Sequence, residues 1–169
     1  MSLGKTERRL LVLRHAKSSW AQPNQPDFER PLNDRGRAAA KRIGHKLRDA
    51  EVSVDILLAS TATRVRETLD ILLPAWHWDG PIVWEKELYL ASPETIMHAI
   101  NVLASDWRSV LIVGHNPGLS QLVSYLTGQD VEMPTAALAI LSSEQADWPT
   151  ALRHRPWREL AFWKPKEID

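Results

Sequence analysis

The chain has 169 residues, 21 basic and 21 acidic side chains, no cysteine and 44% hydrophobic residues. This length suits one domain with a sizeable core, and the absence of cysteine excludes a thiol nucleophile, a disulfide framework and thiolate metal sites while fitting a reducing cytoplasm. Balanced charge asks for neither nucleic acid nor a membrane surface as partner, and no apolar segment approaches the roughly 20 residues of a membrane span.

Met1 to Arg9 is polar and lacks the apolar core of a signal peptide. Met1 to Leu3 is set aside as an expression scar. Leu10 to Leu13 is a short apolar run, the pattern of a buried strand, and it stops abruptly on Arg14, His15, Ala16, Lys17 and Ser18. Ser19 to Pro31 carries Pro23, Pro26 and Pro31 without periodicity, which predicts a loop, by default a mobile one. A helix follows, capped by Asn33, with Ala39, Ile43, Leu47 and Ala50 at helical spacing. Val54 to Ala59 is a second strand. Ser60 then reads as the cap of a helix carrying Val65, Leu69 and Leu72 and stopping before Pro74.

Trp76 to Gly80 is a turn, Pro81 to Trp84 a short strand and Glu85 to Ala91 a connector. Ser92 caps the next helix, with Pro93 in its first position and Ile96, Ile100 and Leu103 inward. Val110 to Val113 is a strong strand running into Gly114-His115-Asn116-Pro117-Gly118. The helix after it buries Leu119, Leu122, Val123 and Leu126 and ends at Gly128. Ala136 to Leu141 and Leu160 to Trp163 are the last strands, expected as an antiparallel hairpin at a sheet edge. Ser142 to Arg158 between them is too short and polar for a crossover helix. Most of the eight tryptophans read as packing residues. The alternation predicts a single three-layer α/β/α domain with a mainly parallel sheet over 1–169, its core at about 9–164.

Three of these strands end in polar groups: Arg14-His15, then Ser60 with Arg64 on the following helix, then His115-Asn116. In open α/β sheets ligands bind at the carboxyl ends of the strands. If the three strands are parallel neighbours, two arginines, two histidines and several helix N-termini converge there. That is a site for a dianion, because guanidinium matches phosphate oxygens and helix N-termini add N–H donors. Singly, each member has a plainer reading. Arg14 could be a surface charge, Arg64 an exposed helix arginine, His115 a core histidine, Ser60 a cap and Lys17 a solvated side chain. The six histidines show no metal-ligand spacing and there is no P-loop, so neither metal nor other cofactor is expected.

Together these blocks resemble the histidine phosphatase superfamily, the phosphoglycerate-mutase-like phosphatases. Arg14-His15 resembles the Arg-His-Gly signature, with Ala16 departing from it. Ser60-Thr61-Ala62-Thr63-Arg64, with Thr68 four residues on, resembles the second block, with Thr61 in place of the usual proline. Gly114-His115-Asn116-Pro117-Gly118 resembles the third, and Asn33-Asp34-Arg35-Gly36 the opening of the first helix. The likeness runs from Leu10 to Leu141 and is greatest to the short SixA-type phosphohistidine phosphatases. Pro81 to Ser109 leaves no room for the helical lid of larger relatives.

The resemblance implies that His15 is the nucleophile, that Arg14, Arg64 and His115 hold the phosphoryl oxygens, and that Ser18, Lys17 and Asn116 are additional phosphate-binding residues. Neighbouring Arg14, Arg64 and Lys17 would disfavour imidazolium at His15. The acid of larger relatives has Leu90 at the similar place, leaving Glu87 and Glu85 as candidates, each also readable as a solvated connector carboxylate. A histidine leaving group needs no such acid, so the implied substrate is a histidine-phosphorylated protein, such as a phosphotransfer domain, met by a cytoplasmic monomer. A phosphatase for small phosphate esters and a non-catalytic phosphate-binding module are the alternatives.

Overall fold

Four strands run side by side in one direction, and the polar ends of three of them meet at one edge. In the computed structural model, which describes residues 3–4 and 6–168, they belong to a six-stranded sheet. The reading of Met1 and Ser2 lies outside the described residues. The strands are β1 (Arg8–Arg14), β2 (Ile56–Ala59), β3 (Ile82–Trp84), β4 (Ser109–Gly114), β5 (Leu138–Ser143) and β6 (Arg158–Trp163), in the order β3-β2-β4-β1-β5-β6. β1, β4, β2 and β3 pair in parallel; β5 pairs antiparallel to β1 and β6 antiparallel to β5. The expected hairpin therefore forms, with β6 at the edge.

Alternate strand residues feed opposite layers, as the pleat requires. Leu11, Leu13, Leu57, Ala59, Leu111 and Val113 pack beneath α1 (Asp34–Asp49) and α2 (Thr63–Trp76). Leu10, Val12, Ile56, Leu58, Val110 and Ile112 pack beneath α3 (Pro93–Leu103), α4 (Gly118–Thr127) and α5 (Trp148–Arg153). Each of these leucines, isoleucines and valines removed from water contributes about 1.5–3 kcal/mol before the entropy of ordering is charged against it. The result is the expected three-layer α/β/α architecture. Between β3 and α3 lie only residues 85–92, so no helical lid stands over the sheet edge.

The structure differs from the sequence reading in three elements. Ser60 does not cap α2: the helix begins at Thr63 with Ala62 in the cap position. α2 also continues through Pro74 to Trp76. Proline removes one helical donor, yet the last turn is held by Trp76, buried and donating from Nε1 to Val52 O at 2.8 Å. Finally, 142–158 contains α5, a six-residue helix too short to give a periodic signal. Asp147 caps it by accepting from Thr150 N, and the buried Trp148 anchors it. No helix among the described residues is long and apolar enough to cross a membrane.

Candidate active site

The spatial order β2-β4-β1 places three strand ends side by side, with Arg14 opposite Gly114 and Ala59 opposite Val113. The next residues emerge together, His15 N donating to Gly114 O and Ser60 N to Val113 O, each at 3.1 Å.

His15 is buried. Its Nδ1 lies 2.7 Å from Ala16 O. A carbonyl can only accept, so Nδ1 carries the ring proton and Nε2 keeps a lone pair. Arg64 Nε donates to that nitrogen at 3.3 Å. Burial lowers the His15 pKa to about 4; the Ala16 carbonyl opposes the shift, while Arg64, Arg14 and Arg30 add to it. Arg30, rather than the expected Lys17, is the third cation. The ring's carbonyl partner is itself held in place. Ala16 N donates to Thr68 Oγ1 at 3.0 Å, and that hydroxyl donates to Arg64 O at 2.6 Å. The threonine one helical turn beyond Arg64 thus ties α2 to the residue after the histidine.

His115 sits with its ring centroid 5.3 Å from that of His15, and Tyr89 meets it edge-on at 5.2 Å. Burial first, then His15 and Arg64, lower its pKa to about 3. Its Nε2 lies 2.7 Å from Ser60 Oγ, so Ser60 orients the second histidine instead of serving as a helix cap. Arg14 donates from Nη1 to Met133 O at 3.1 Å. Two buried nitrogens at this edge, Arg14 Nε and His115 Nδ1, find no partner among the described residues. Buried unpaired donors are costly, and an anion would supply acceptors to this edge.

These four residues line a cavity of about 360 Å³, together with Lys17, Ser18 and Asn116. Lys17 is exposed there. Ser18 and Asn116 are more engaged than the sequence implied. Ser18 Oγ accepts from Arg30 Nη1 at 2.8 Å. Asn116 donates to Met133 O at 2.8 Å and accepts from Ser120 N at 3.1 Å and Ser120 Oγ at 2.8 Å. Glu85 and Glu87 are not in the cavity wall. Glu85 turns its carboxylate onto Glu87 N at 3.2 Å, capping the 3₁₀ turn of Lys86–Leu88, and the residue of this connector that reaches the cavity is Leu90.

The carboxylate that does reach the cavity is Asp27, which sequence reasoning missed. The 19–31 loop is closed at its base, where Ser19 N donates to Pro31 O at 2.8 Å, and Asp27–Glu29 within it forms a 3₁₀ turn. Asp27 O accepts from Arg64 Nη1 at 2.7 Å, Oδ2 accepts from Arg64 Nη2 at 3.0 Å, and Oδ1 accepts from Arg30 Nε at 3.0 Å. The Tyr89 hydroxyl donates to Oδ2. That bond first, then Arg30 and Arg64, hold its carboxyl pKa down at about 2. A signal existed: all charges of the loop lie in Asp27–Arg30, just ahead of the helix.

Gly36, in the first turn of α1, completes the frame. A Cβ there would lie 2.1 Å from Lys17 O, so only glycine lets α1 seat against the segment that follows His15.

The sequence profile of the histidine phosphatase superfamily (branch 1) matches residues 10–89. An uncharacterised protein of Mycobacterium tuberculosis is 34% identical over 140 residues, covering 76% of this chain and 85% of its own. The Agrobacterium tumefaciens SixA protein, assigned as a phosphohistidine phosphatase, superposes with a TM-score of 0.80 at 33% identity, over 94% of this chain and 98% of its own. A SixA protein of Nakamurella multipartitia, assigned likewise, gives 0.77 at 25% identity, over 94% and 96%. With this sequence match, this fold and paired histidines and arginines at the sheet edge, the chain belongs to the histidine phosphatase superfamily, as a phosphatase of compact, SixA-like structure.

Proposed function

We propose that the chain removes the phosphoryl group from a phosphohistidine on another protein, through a phosphoryl-enzyme on His15. The observation that supports this most directly is the state of His15: neutral, with Nδ1 bound to Ala16 O and Nε2 facing Arg64. The Nε2 lone pair attacks phosphorus in line, and the substrate's P–N bond breaks. A substrate ring protonated on its other nitrogen leaves as neutral imidazole. His15 keeps its Nδ1 proton, which Ala16 O continues to accept. Water then attacks the phosphoryl group and His15 Nε2 leaves with the bond pair. Both water protons go with the phosphate, so neither half-reaction needs a side-chain acid. Arg14, Arg64 and His115 stabilise the charge on the phosphoryl oxygens.

The carboxylates support this substrate class over ordinary esters. An alkoxide leaving group needs a proton. Asp27 is held ionised by Tyr89, Arg30 and Arg64, Leu90 cannot ionise, and Glu85 and Glu87 lie outside the cavity. Balanced charge and the absence of cysteine fit a monomer in the cytoplasm.

The deciding experiment compares a phosphohistidine protein with a panel of phosphorylated metabolites. The expected result is turnover of the former with acid-labile, base-stable label on His15, absent in His15→Ala. Arg64→Ala and His115→Ala should each lose about 3 kcal/mol of transition-state stabilisation, roughly a hundredfold or more in rate. Preferential turnover of alkyl phosphomonoesters would replace the substrate assignment. No label and no turnover would leave only a phosphate-binding module.

A further inference from the structure

We propose that Trp20, Phe28 and Leu90 form an apolar docking rim for the protein surface that carries the phosphoryl group. The inference rests on the reading above and specifies how that substrate is held. Among the described residues six large apolar side chains are exposed, and these three, at 75%, 38% and 54%, gather on segments around the cavity. Trp20 and Leu90 form part of its wall, and Phe28 adjoins Asp27. None of the three belongs to the two cores that hold the sheet and helices together. Their exposure does nothing for the fold. Clustered exposed apolar side chains around a polar site mark an interaction surface.

Each is also held in place before any partner arrives. Trp20 lies over the Arg30 guanidinium at 3.6 Å, and Arg30 is buried and bonded to Asp27 and Ser18. Phe28 packs edge-on to Tyr89 at 5.0 Å. Leu90 has φ 50°, a left-handed conformation costly for leucine, of the kind found at ligand clamps. A fixed rim loses little entropy on binding, and tryptophan is among the side chains that dominate interfaces.

The charge beneath the rim selects the occupant. Arg14, Lys17, Arg30 and Arg64 face the cavity, with Asp27 as its one carboxylate among the described residues. The complementary partner is an anionic phosphoryl group standing out from a surface with apolar side chains beside it. A small polar metabolite would reach the cations but leave the rim in water. A phosphohistidine on a folded protein engages both.

The test compares two substrates on the full chain: a phosphotransfer domain phosphorylated with phosphoramidate, and the free amino acid phosphohistidine. In Trp20→Ala and Leu90→Asn, kcat/KM for the phosphoprotein should fall about tenfold or more beyond any fall for free phosphohistidine, the size expected of an interface anchor, with the extra loss carried by KM. Trp20→Phe should restore most of the affinity. Parallel changes on both substrates, or no change on either, overturn the proposal, as does a shift in this chain's own dimerisation by light scattering, which would make the occupant a second copy. If the unmodified chain itself shows no preference for the phosphoprotein, the functional reading fails first and the rim falls with it. If that preference stands and the variants leave it untouched, only the rim is wrong.

Discussion

Asp27 holds both terminal nitrogens of Arg64, its carbonyl accepting from Nη1 at 2.7 Å and Oδ2 from Nη2 at 3.0 Å, and Arg64 turns Nε alone toward His15. The guanidinium cannot rotate without breaking two charge-assisted bonds. Removing the carboxylate should therefore cost catalysis more than folding. Asp27→Asn is expected to lower kcat/KM by about tenfold to a hundredfold, the cost of a misplaced catalytic group. Its denaturation midpoint should fall modestly, because Asp27 is partly exposed while the two arginines it neutralises, Arg64 and Arg30, are buried. An unchanged kcat/KM would show that Arg64 holds its position without this loop.

The buried histidines set a pH dependence whose sign is fixed. His15 at about 4 and His115 at about 3 lie below the ordinary 6.5. Below pH 6.5 the unfolded chain takes up protons that the native chain refuses. Native stability should fall as pH drops from 6.5 towards 4, at up to about 1.4 kcal/mol per pH unit for each histidine. Below the folded values this loss levels off, and above 6.5 neither group matters. Urea titrations from pH 7.5 to 4.5 measure it, and flat stability over that range would contradict the burial argument. Because kcat/KM reports the free enzyme, its acid limb, corrected for the substrate's own ionisation, should fall near pH 4–5 instead of 6.5.

Thr68→Val keeps the shape of the side chain and deletes the hydroxyl between Ala16 N and Arg64 O. The buried Ala16 N–H is left unpaired, at a cost of about 1–3 kcal/mol. The carbonyl that fixes the His15 tautomer loses its anchor too. A lower melting temperature together with a lower kcat is expected. Loss of stability alone would make Thr68 purely structural.

Gly36→Ala tests the seat of α1. The added methyl would meet the Lys17 carbonyl at 2.1 Å, a backbone atom that cannot swing aside. The backbone shift should cost about 1–3 kcal/mol, read as a lower urea midpoint, with reduced turnover because Lys17 follows the histidine closely.

The polar strand ends were legible in sequence because an apolar run that stops on Arg14-His15, and another that stops on Gly114-His115, need only local pattern to be recognised. Asn33, Ser92 and Gly128 marked helix ends for the same reason, each acting on its own turn. Ser60 was misread because a serine before a helix is usually a cap, whereas its partner here is 55 residues away. Asp27 was missed because its meaning depends on a loop folding back onto Arg64, 37 residues on. Glu85 and Glu87 looked available because sequence proximity does not say which way a connector turns. Pro74 read as a stop because the burial of Trp76, which offsets the lost donor, is a tertiary effect.

His15 and Asp27 also sit on supports of very different character. β1 lies between β4 and β5, hydrogen-bonded on both sides and buried through its centre. The Asp27 segment is exposed and held largely by side-chain bonds. Amide exchange from Leu11 to Leu13 should need unfolding of the whole chain, while amides near Asp27 exchange through a local opening. The nucleophile therefore keeps its place through any fluctuation that reaches only the Asp27 wall.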